Sequence, residues 1–185
     1  MPSTPPPPPP PPSPASVTAP SLRIGHGYDL HRLEPRPPAG QGRPLIIGGV
    51  TIEHDRGPIA HSDGDVLYHA LVDALMGALG MPDIGQMFPD NAPENLGRDS
   101  AVFVREAHAR VRSAGYEVGN VDATIILERP RIGPVKDAMR ANIATLLHVP
   151  PERVNIKGKS HEKVDAVGEG RAVEAHVVAL LQRAP

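Results

Sequence analysis

The predicted fold is organised around residues 24–31, which read Ile-Gly-His-Gly-Tyr-Asp-Leu-His. This stretch is typical of a strand end, and residues two apart on a strand point to the same face. Asp29 and His31 therefore present a carboxylate and an imidazole side by side, which are two of the three protein ligands of an open zinc site. The third ligand is expected from segment 60–69, which reads Ala-His-Ser-Asp-Gly-Asp-Val-Leu-Tyr-His and ends at His69.

The clearest predicted helix follows Ser62, which we place as its N-cap, with Asp65 in the capping-box position. An apolar stripe with helical spacing comprises Val66, Leu67, Ala70, Leu71, Ala74, Leu75 and Ala78. Asp65, His69 and Asp73 recur every four residues and form a separate polar line. We therefore expect His69 to face the two strand ligands, with Asp65 holding the second ring N–H of that imidazole.

The composition excludes several function classes. The chain of 185 residues has 19 basic and 21 acidic side chains and only 3% aromatic residues, so we expect neither a nucleic-acid partner nor a base-stacking platform. Cys is absent and nine His are present, which limits a metal site to imidazoles and carboxylates. Apolar runs fall short of the roughly 20 residues that span a bilayer, so we expect no membrane partner.

The N-terminus is expected to lie outside the folded domain. Residues 1–21 are a Pro-rich tail in which the run from Pro5 to Pro12 favours an extended polyproline helix; a ligand for an SH3-type domain is the alternative interpretation. Residues 22–185 suit one domain. The tail has neither the apolar core of a signal peptide nor the Arg-rich pattern of a transit peptide, and we expect a location in the bacterial cytoplasm.

Strand and helix patterns are interspersed along this domain. Periodicity predicts four strands, at 22–30, 118–127, 154–157 and 172–182, and two further helices, at 98–114 and 134–148. The Gly48-Gly49 pair predicts the turn of a hairpin over 44–53. The predicted fold class is α+β (mixed α/β), with a mixed four-stranded sheet covered on one face by helices. Segments 80–95 and 158–170 are expected to be loops, the first of them long enough to indicate function.

Each polar cluster has a functional and a structural interpretation. His61 and Ser62 precede a helix whose N-terminal N–H groups favour phosphate oxygens; alternatively, Ser62 is only a cap. The cluster from Lys157 to Lys163 offers charges and a hydroxyl for phosphate, and Glu162 suits a hard cation such as Mg²⁺; alternatively, the cluster is a solvated loop. For the three zinc candidates, the alternative is that they are ordinary polar residues at element ends.

Five segments also carry a resemblance to a known family. They read Arg-Ile-Gly-His-Gly-Tyr-Asp-Leu-His at 23–31, Ala-His-Ser-Asp-Gly-Asp at 60–65 with His69, Asp-Ile-Gly at 83–85, Phe-Pro-Asp at 88–90, and Asn-Val-Asp-Ala-Thr-Ile-Ile at 120–126. These segments resemble the signatures of the 2-C-methyl-D-erythritol 2,4-cyclodiphosphate synthase (IspF) family, over residues 22–182. The resemblance implies a homotrimer whose sheets face the trimer axis and whose active sites lie between subunits.

The resemblance further implies a reaction of non-mevalonate isoprenoid biosynthesis. A phosphorus–oxygen lyase of this family cyclises 4-diphosphocytidyl-2-C-methyl-D-erythritol 2-phosphate to 2-C-methyl-D-erythritol 2,4-cyclodiphosphate and releases CMP. The substrate's own 2-phosphate attacks the β-phosphorus, so no protein nucleophile is needed, and catalysis depends on positioning and charge neutralisation. The alternatives are a zinc hydrolase of nucleotide-linked phosphates and an inactive metal-binding trimer.

Positions that match the family's motifs imply residue roles. Zn²⁺ would be bound by Asp29, His31 and His69, a second divalent ion (Mg²⁺ or Mn²⁺) by Glu162, and the transition state would be stabilised by His61 and Ser160. Substrate contacts near the zinc are implied for Asp29, Leu30, His31, His61 and Ser62, and contacts with the methylerythritol part for Asp83, Ile84, Gly85, Phe88, Pro89, Asp90, Asn91 and Ala92. Contacts with the cytidine are implied for Leu127, Pro130, Arg131, Ile132 and Gly133, and contacts with the diphosphate for Lys159, Ser160, His161 and Glu162.

The chain departs from the family's usual sequence at four places. A Thr-rich run is replaced by Gly158-Lys159-Ser160-His161, a Phe by Ala166 and a Lys by Arg131. The charges of a Gly-Arg-Gly-Glu motif are exchanged in Gly168-Glu169-Gly170-Arg171. Ser160 keeps the hydroxyl of the run, whereas no contact is carried over to Ala166 or Glu169.

Overall fold

The computed structural model describes residues 20–184. The predictions for residues 1–19 of the Pro-rich tail therefore lie outside the described residues. Seven strands and five α-helices follow one another as β1 (Leu22–Pro35), β2 (Leu45–Ile47), β3 (Val50–Ile52), β4 (Arg56–Pro58), α1 (Val66–Leu79), α2 (Ile84–Met87), α3 (Ala101–Ser113), β5 (Tyr116–Ile126), α4 (Lys136–Leu147), β6 (Val154–Lys159), α5 (Asp165–Gly168) and β7 (Ala172–Arg183). Short 3₁₀ helices span Pro93–Asn95, Gly133–Val135 and Pro151–Arg153.

The main sheet has five strands in the order β4-β1-β7-β5-β6, and β2 and β3 form a separate hairpin. β7 pairs antiparallel with β1 and with β5, whereas β5 and β6 are parallel. The predicted fold class is confirmed, but the predicted number of strands, four, is wrong. The additional strand β4 is only three residues long and contains Gly57 and Pro58, so it has no alternating pattern by which a sequence reveals a strand.

The remaining elements have the predicted type with shifted ends. β1 continues to Pro35 instead of ending at Leu30, and the helix predicted from position 98 begins at Ala101. Segment 80–95 contains α2 and a 3₁₀ turn. Segment 158–170 contains the end of β6 and helix α5, so it is less loop-like than expected.

Helix α1 lies directly against β1 because two strand glycines leave no side chain between them. A Cβ on Gly25 would lie 1.8 Å from the carbonyl oxygen of Ala74, and a Cβ on Gly27 would lie 1.8 Å from that of Ala70. The side chains of Leu67 and the rest of the predicted apolar stripe are buried in the core. This contact holds the start of α1 over the end of β1.

The opposite face of the sheet is open in the single chain. It presents large apolar side chains that are 42–72% exposed, namely Leu22, Ile24, Tyr28, Leu30 and Val178. The face therefore has the apolar character of a surface that another protein covers. Among the described residues, the helices are all too short or too polar to cross a bilayer.

Candidate metal centre

Asp29 and His31 of β1 meet His69 of α1 as the strand spacing and helical phase predict. His69 Nδ1 lies 3.0 Å from Asp29 Oδ2 and 3.1 Å from His31 Nε2, and the last two atoms are 3.1 Å apart. Ligands on a tetrahedral zinc at about 2.0–2.1 Å are themselves about 3.3 Å apart. The donor set and its spacing therefore fit a small metal ion.

The protonation states at this cluster suit metal binding. Burial acts to raise the pKa of Asp29, but the close contact with the His69 ring and the nearby His31 imidazole outweigh it, so this pKa lies below its ordinary value. Burial lowers the pKa of His31 against the attraction of Asp29. An ionised carboxylate and a neutral imidazole are the forms that bind a metal.

The outer nitrogen of His69 is held by two hydroxyl groups. Its Nε2 lies 2.9 Å from Ser100 Oγ and 3.1 Å from Ser62 Oγ. Ser100 in turn donates its hydroxyl to the carboxylate of Asp63, which also accepts the backbone N–H of Ser100 at 3.1 Å. Because Ser100 uses its proton on Asp63, its oxygen accepts from His69 Nε2–H, and Nδ1 is left free to bind a metal.

Asp65 has a different role from the one predicted. It is the N-cap of α1 and accepts N–H groups from Leu67 and Tyr68, while its two oxygens also accept Gly48 N–H at 2.9 Å and Gly49 N–H at 2.7 Å. Burial raises the pKa of Asp65 to about 6, although these backbone bonds act in the opposite direction. The predictions that Ser62 caps the helix and that Asp65 holds His69 are therefore wrong, because the turn of the β2–β3 hairpin brings its amides to Asp65.

This arrangement also changes the phosphate interpretation of the helix start. The N–H groups of Leu67 and Tyr68 bind Asp65, so they are occupied by a side chain of the protein. Ser62 is buried and its hydroxyl faces His69 and Gly64 N. Of the two residues proposed there, only His61 keeps a partly exposed side chain, and its Nε2 donates to Ala92 O at 3.1 Å.

Segment 83–92 is brought beside the metal-ligating cluster by aromatic and hydrogen-bond contacts. Phe88 stacks on Phe103 at 4.4 Å between ring centroids, and Phe103 lies 6.2 Å from His69. Asp83 caps α2 by accepting Gln86 N–H at 2.9 Å. The backbone of this segment is thereby fixed, while the side chains of Asp83, Pro89, Asp90 and Asn91 remain exposed, together with Gly85.

Comparisons with known proteins show to which family the chain belongs. The sequence model described as the YgbB family matches residues 22–182. The chain belongs to the YgbB family. The predicted resemblance to the 2-C-methyl-D-erythritol 2,4-cyclodiphosphate synthase family is thereby confirmed, since relatives of this YgbB-family chain carry that name. The chloroplastic 2-C-methyl-D-erythritol 2,4-cyclodiphosphate synthase of Oryza sativa subsp. japonica is 56% identical over 175 residues, which are 92% of this chain and 76% of the relative.

Bacterial relatives and solved structures agree with this assignment. The synthase of Paraburkholderia phymatum is 52% identical over 88% of this chain and 98% of its own length. The structure of IspF from Plasmodium falciparum in complex with CDP has a TM-score of 0.78 and 36% identity, and the match covers 91% of this chain and all of that chain. A 2C-methyl-D-erythritol-2,4-cyclodiphosphate synthase structure, in its form bound to CDP, has a TM-score of 0.77 and 39% identity over 86% and 100% of the two chains.

The other half of the implied site in this YgbB-family chain is formed by the loops after β5 and β6. Leu127 N donates to Lys159 O at 3.0 Å, and Ile132 packs so closely on Gly158 that a Cβ there would lie 2.9 Å from Ile132 Cγ1. Segments 127–133 and 158–162 are therefore adjacent. Within the second loop, Ser160 donates to Glu162 Oε1 at 3.2 Å, and His161 Nδ1 lies 2.8 Å from Asp165 Oδ2.

The two halves do not meet within one chain. Asp29 and Ile125 lie opposite the same residue of β7, Ala175, so the halves occupy the same edge of the sheet. Strand β7 separates β1 from β5, and neighbouring strands are about 4.8 Å apart, which puts β1 about 10 Å from β5 and about 14 Å from β6. Leu30 is also turned away from the ligand cluster, because its side chain alternates to the open face and is 43% exposed.

Sequence reasoning missed the residues that support the site without binding metal. Ser100 and Asp63 complete the hydrogen-bond chain to His69, and Phe103 fixes the position of Phe88. Ser100 stands at the N-cap position of α3, which is where a Ser is read as a capping residue, yet it makes no side-chain capping bond. That missing capping bond is a feature of the structure, so no sequence pattern distinguished its role.

Proposed function

We propose that this YgbB-family chain is a 2-C-methyl-D-erythritol 2,4-cyclodiphosphate synthase, which cyclises the cytidyl diphosphate substrate and releases CMP. The observation that carries the proposal is the convergence of Asp29, His31 and His69 in a chain 52–58% identical to synthases of this name. The reaction is a phosphorus–oxygen lyase reaction. It requires positioned phosphates and neutralised charge more than a protein nucleophile.

We propose zinc as the metal at the three ligands and a second divalent ion, Mg²⁺ or Mn²⁺, at Glu162. Two imidazoles and one carboxylate at mutual distances of 3.0–3.1 Å suit zinc with an open fourth position. When bound, these ions would polarise phosphate oxygens and neutralise the developing charge. The side chain of Glu162 is exposed and is turned beside Ser160 at a backbone φ of 50°, so it is available to a hard cation.

The protein's own groups position the substrate. The His61 ring N–H, which donates to Ala92 O in the unliganded chain, would turn to a phosphate of the bound substrate, and Ser160 would offer its hydroxyl from the other loop. Segment 83–92 would hold the methylerythritol part, segment 127–133 the cytidine, and Lys159, Ser160 and His161 the diphosphate. The CDP bound in two solved relatives supports a cytidyl diphosphate as the ligand.

A homotrimer would join the two separated halves of the site. The metal ligands and the Lys159–Glu162 loop lie at opposite sides of one chain's sheet edge, so a neighbouring subunit can place its own loop at the first chain's metal centre. The open apolar sheet face provides the surface that such subunits would bury. We therefore propose that three chains pack with their sheets toward a common axis.

The trimer is tested by charging the open sheet face. Ile24 is 72% exposed on this face, and burying a carboxylate there would be costly. Ile24→Glu should therefore sediment as a monomer and release CMP at least tenfold more slowly, as analytical ultracentrifugation and CMP assays would measure. Leu96→Glu serves as the control for assembly, because Leu96 is 64% exposed and ends the 3₁₀ helix Pro93–Asn95 outside the strands. A trimeric Ile24→Glu variant would contradict the proposed interface.

The activity is tested by incubating the protein with the cytidyl substrate, Zn²⁺ and Mg²⁺ and identifying the products by ³¹P NMR. We expect CMP and a cyclic diphosphate. A linear phosphate product would instead indicate a zinc hydrolase, and bound zinc without CMP release would indicate an inactive metal-binding trimer. His69→Ala should abolish CMP release while the trimer persists, and His148→Ala, which removes a remote exposed imidazole, should not. Normal turnover by His69→Ala would exclude the zinc assignment.

Two further assignments remain proposals. Residues 22–185 would form the synthase domain, with residues 1–21 as a Pro-rich tail. The bacterial cytoplasm stays the predicted location; bacterial relatives at 52% identity support it, whereas the chloroplastic relatives at 56–58% identity favour a plastid-type protein. Fractionation of the source cells with an antibody against the chain distinguishes the two.

A further inference from the structure

One cavity of the described residues lies away from the metal centre. It has a volume of about 550 Å³ and opens between α3 and the segment that joins α4 to β6. Arg105, His108 and Arg112 are three and four residues apart on α3 and therefore share one helix face. His148 and Arg153 line the opposite wall. We call this space, defined by these five residues, the basic cavity.

The positive charge of the basic cavity has little compensation within the chain. Among residues 20–184, none of its three guanidinium groups lies within 4.0 Å of a carboxylate, whereas Arg110 on the same helix pairs with Glu106 at 3.0 Å. Glu117 is the one acidic residue of the lining, and its carboxylate accepts a hydrogen bond from Gln182 at 2.6 Å. Like charges held together without carboxylate partners favour the binding of an anion.

His108 adds a largely buried imidazole to the same wall. Its side chain is only 9% exposed, and no hydrogen bond joins its ring to another residue of the described chain. The rings of His108 and His148 face each other at 5.4 Å between centroids. The ring nitrogens of His108 are not among the fully buried unpartnered atoms of the described chain, so they reach the cavity and are available to a ligand.

The rest of the lining limits what kind of anion fits. Val118 and Leu147 are buried apolar residues of the wall, and Leu146 and Val149 extend the apolar surface. The end of α4 offers only carbonyl oxygens, which are partly used by His148 N–H and Val149 N–H and cannot donate to an anion. The side chains of the lining therefore determine recognition. A ligand with an anionic end and a compact apolar body matches both parts.

We propose that the basic cavity binds a small phosphomonoester, with the phosphate between the walls of Arg105, Arg112 and Arg153 and the organic group on the apolar surface. Guanidinium groups bind phosphate in a bidentate way that a fixed wall can present. His108 and His148 would donate the remaining hydrogen bonds. The site does not depend on the synthase activity proposed above, because none of its residues lines the metal centre.

Isothermal titration of the full zinc-loaded chain with phenyl phosphate tests this site. We expect saturable binding that is tighter than binding of inorganic phosphate, which lacks the apolar group, and of benzyl alcohol, which lacks the charge. Arg112→Gln should raise the dissociation constant about tenfold, which is the effect of losing one charge-assisted hydrogen bond. Arg110→Gln, on the same helix but outside the cavity, and His69→Ala should leave the dissociation constant unchanged.

Five results would overturn the proposal. Absence of saturable binding would exclude the site, and an equal loss in Arg110→Gln would reduce it to diffuse surface charge. A loss in His69→Ala without a loss in Arg112→Gln would place the probe at the metal centre. Equal affinity for inorganic phosphate would show that the apolar surface does not contribute to binding. Equal affinity for benzyl alcohol would show that the positive charge does not contribute. Circular dichroism of Arg112→Gln, an exposed position, verifies that the fold is retained.

Discussion

Among single residues, Ser100 links the folded core to the metal centre. Its hydroxyl oxygen accepts a hydrogen bond from His69 Nε2–H, and its hydroxyl proton is donated in a hydrogen bond to the carboxylate of Asp63. This hydrogen-bond chain selects the His69 tautomer whose Nδ1 faces Asp29 and His31. A serine thus does here what a carboxylate or carbonyl does directly in many metal sites.

Ser100→Ala should weaken zinc binding by about 10–100-fold, the usual effect of removing a group that orients a ligand. The side chain of Ser100 makes no capping bond, so α3 should persist. Competition with a chromophoric chelator measures the affinity. Ser113→Ala, an exposed serine at the other end of α3, is the matched control, and an unchanged affinity in Ser100→Ala would show that Ser62 alone orients the ring.

The convergence of the three candidate metal ligands could be predicted because each position follows from a local period. Asp29 and His31 share a strand face, and His69 lies off the apolar stripe of its helix. Ser100 could not be predicted, since it is 31 residues from His69 and stands where a Ser has an ordinary capping role. Asp65 was misassigned for the same reason, because its partners Gly48 and Gly49 arrive from a separate hairpin.

Between elements, the contact of α1 with β1 determines the geometry of the ligand cluster. Gly25 and Gly27 let the helix backbone touch the strand, and this contact sets how far His69 stands from the strand ligands. Backbone atoms cannot move aside as a flexible side chain can, so these positions tolerate no Cβ.

Gly27→Ala should lower the free energy of unfolding by at least about 3 kcal/mol, because its Cβ would meet Ala70 O at 1.8 Å. Urea denaturation followed by circular dichroism measures this change. Gly77→Ala is the control within the contacting helix: the nearest atom to its Cβ would be 3.7 Å away, and replacing a helical glycine should stabilise the fold by roughly 0.5 kcal/mol. Equal stability of the two variants would contradict the close packing.

For the whole molecule, the basic cavity predicts a pH dependence of stability. His108 faces His148, Arg105, Arg112 and Arg153, with Glu117 as the one acid. Burial, together with His148 and Arg112, lowers the pKa of His108. The unfolded chain therefore takes up this proton first as pH falls below about 6.5. The contribution of His108 is fully present above that pH and is lost as pH falls through the folded-state pKa.

His108→Asn should flatten this loss. We expect the decrease in Tm between about pH 7.5 and about pH 5.5 to be smaller in the variant than in the unmodified chain. Differential scanning calorimetry in phosphate-free buffer measures both, since phosphate would occupy the proposed site. An identical decrease in both proteins would show that other histidines carry the pH dependence.

The fold class of the whole molecule could be predicted from the sequence, but the number and order of the strands in the main sheet could not. Long strands such as β5 show clear alternation, with Val121, Ala123 and Ile125 all buried. Strand β4 was missed because three residues with Gly and Pro carry no period. The separation of the two halves of the site was also beyond sequence reasoning, because it depends on β7, the last strand, inserting between β1 and β5.

The glycine contact between α1 and β1 has a consequence for how the protein acquires its metal. The donor atoms are positioned by backbone packing and by hydrogen bonds to Ser100, so assembly of the cluster is part of folding itself. Metal uptake then needs little rearrangement, unlike in zinc fingers, where binding energy is spent on folding. The ion could therefore be loaded or withdrawn after the chain has folded, and activity would follow the supply of that ion without any change in the amount of folded protein.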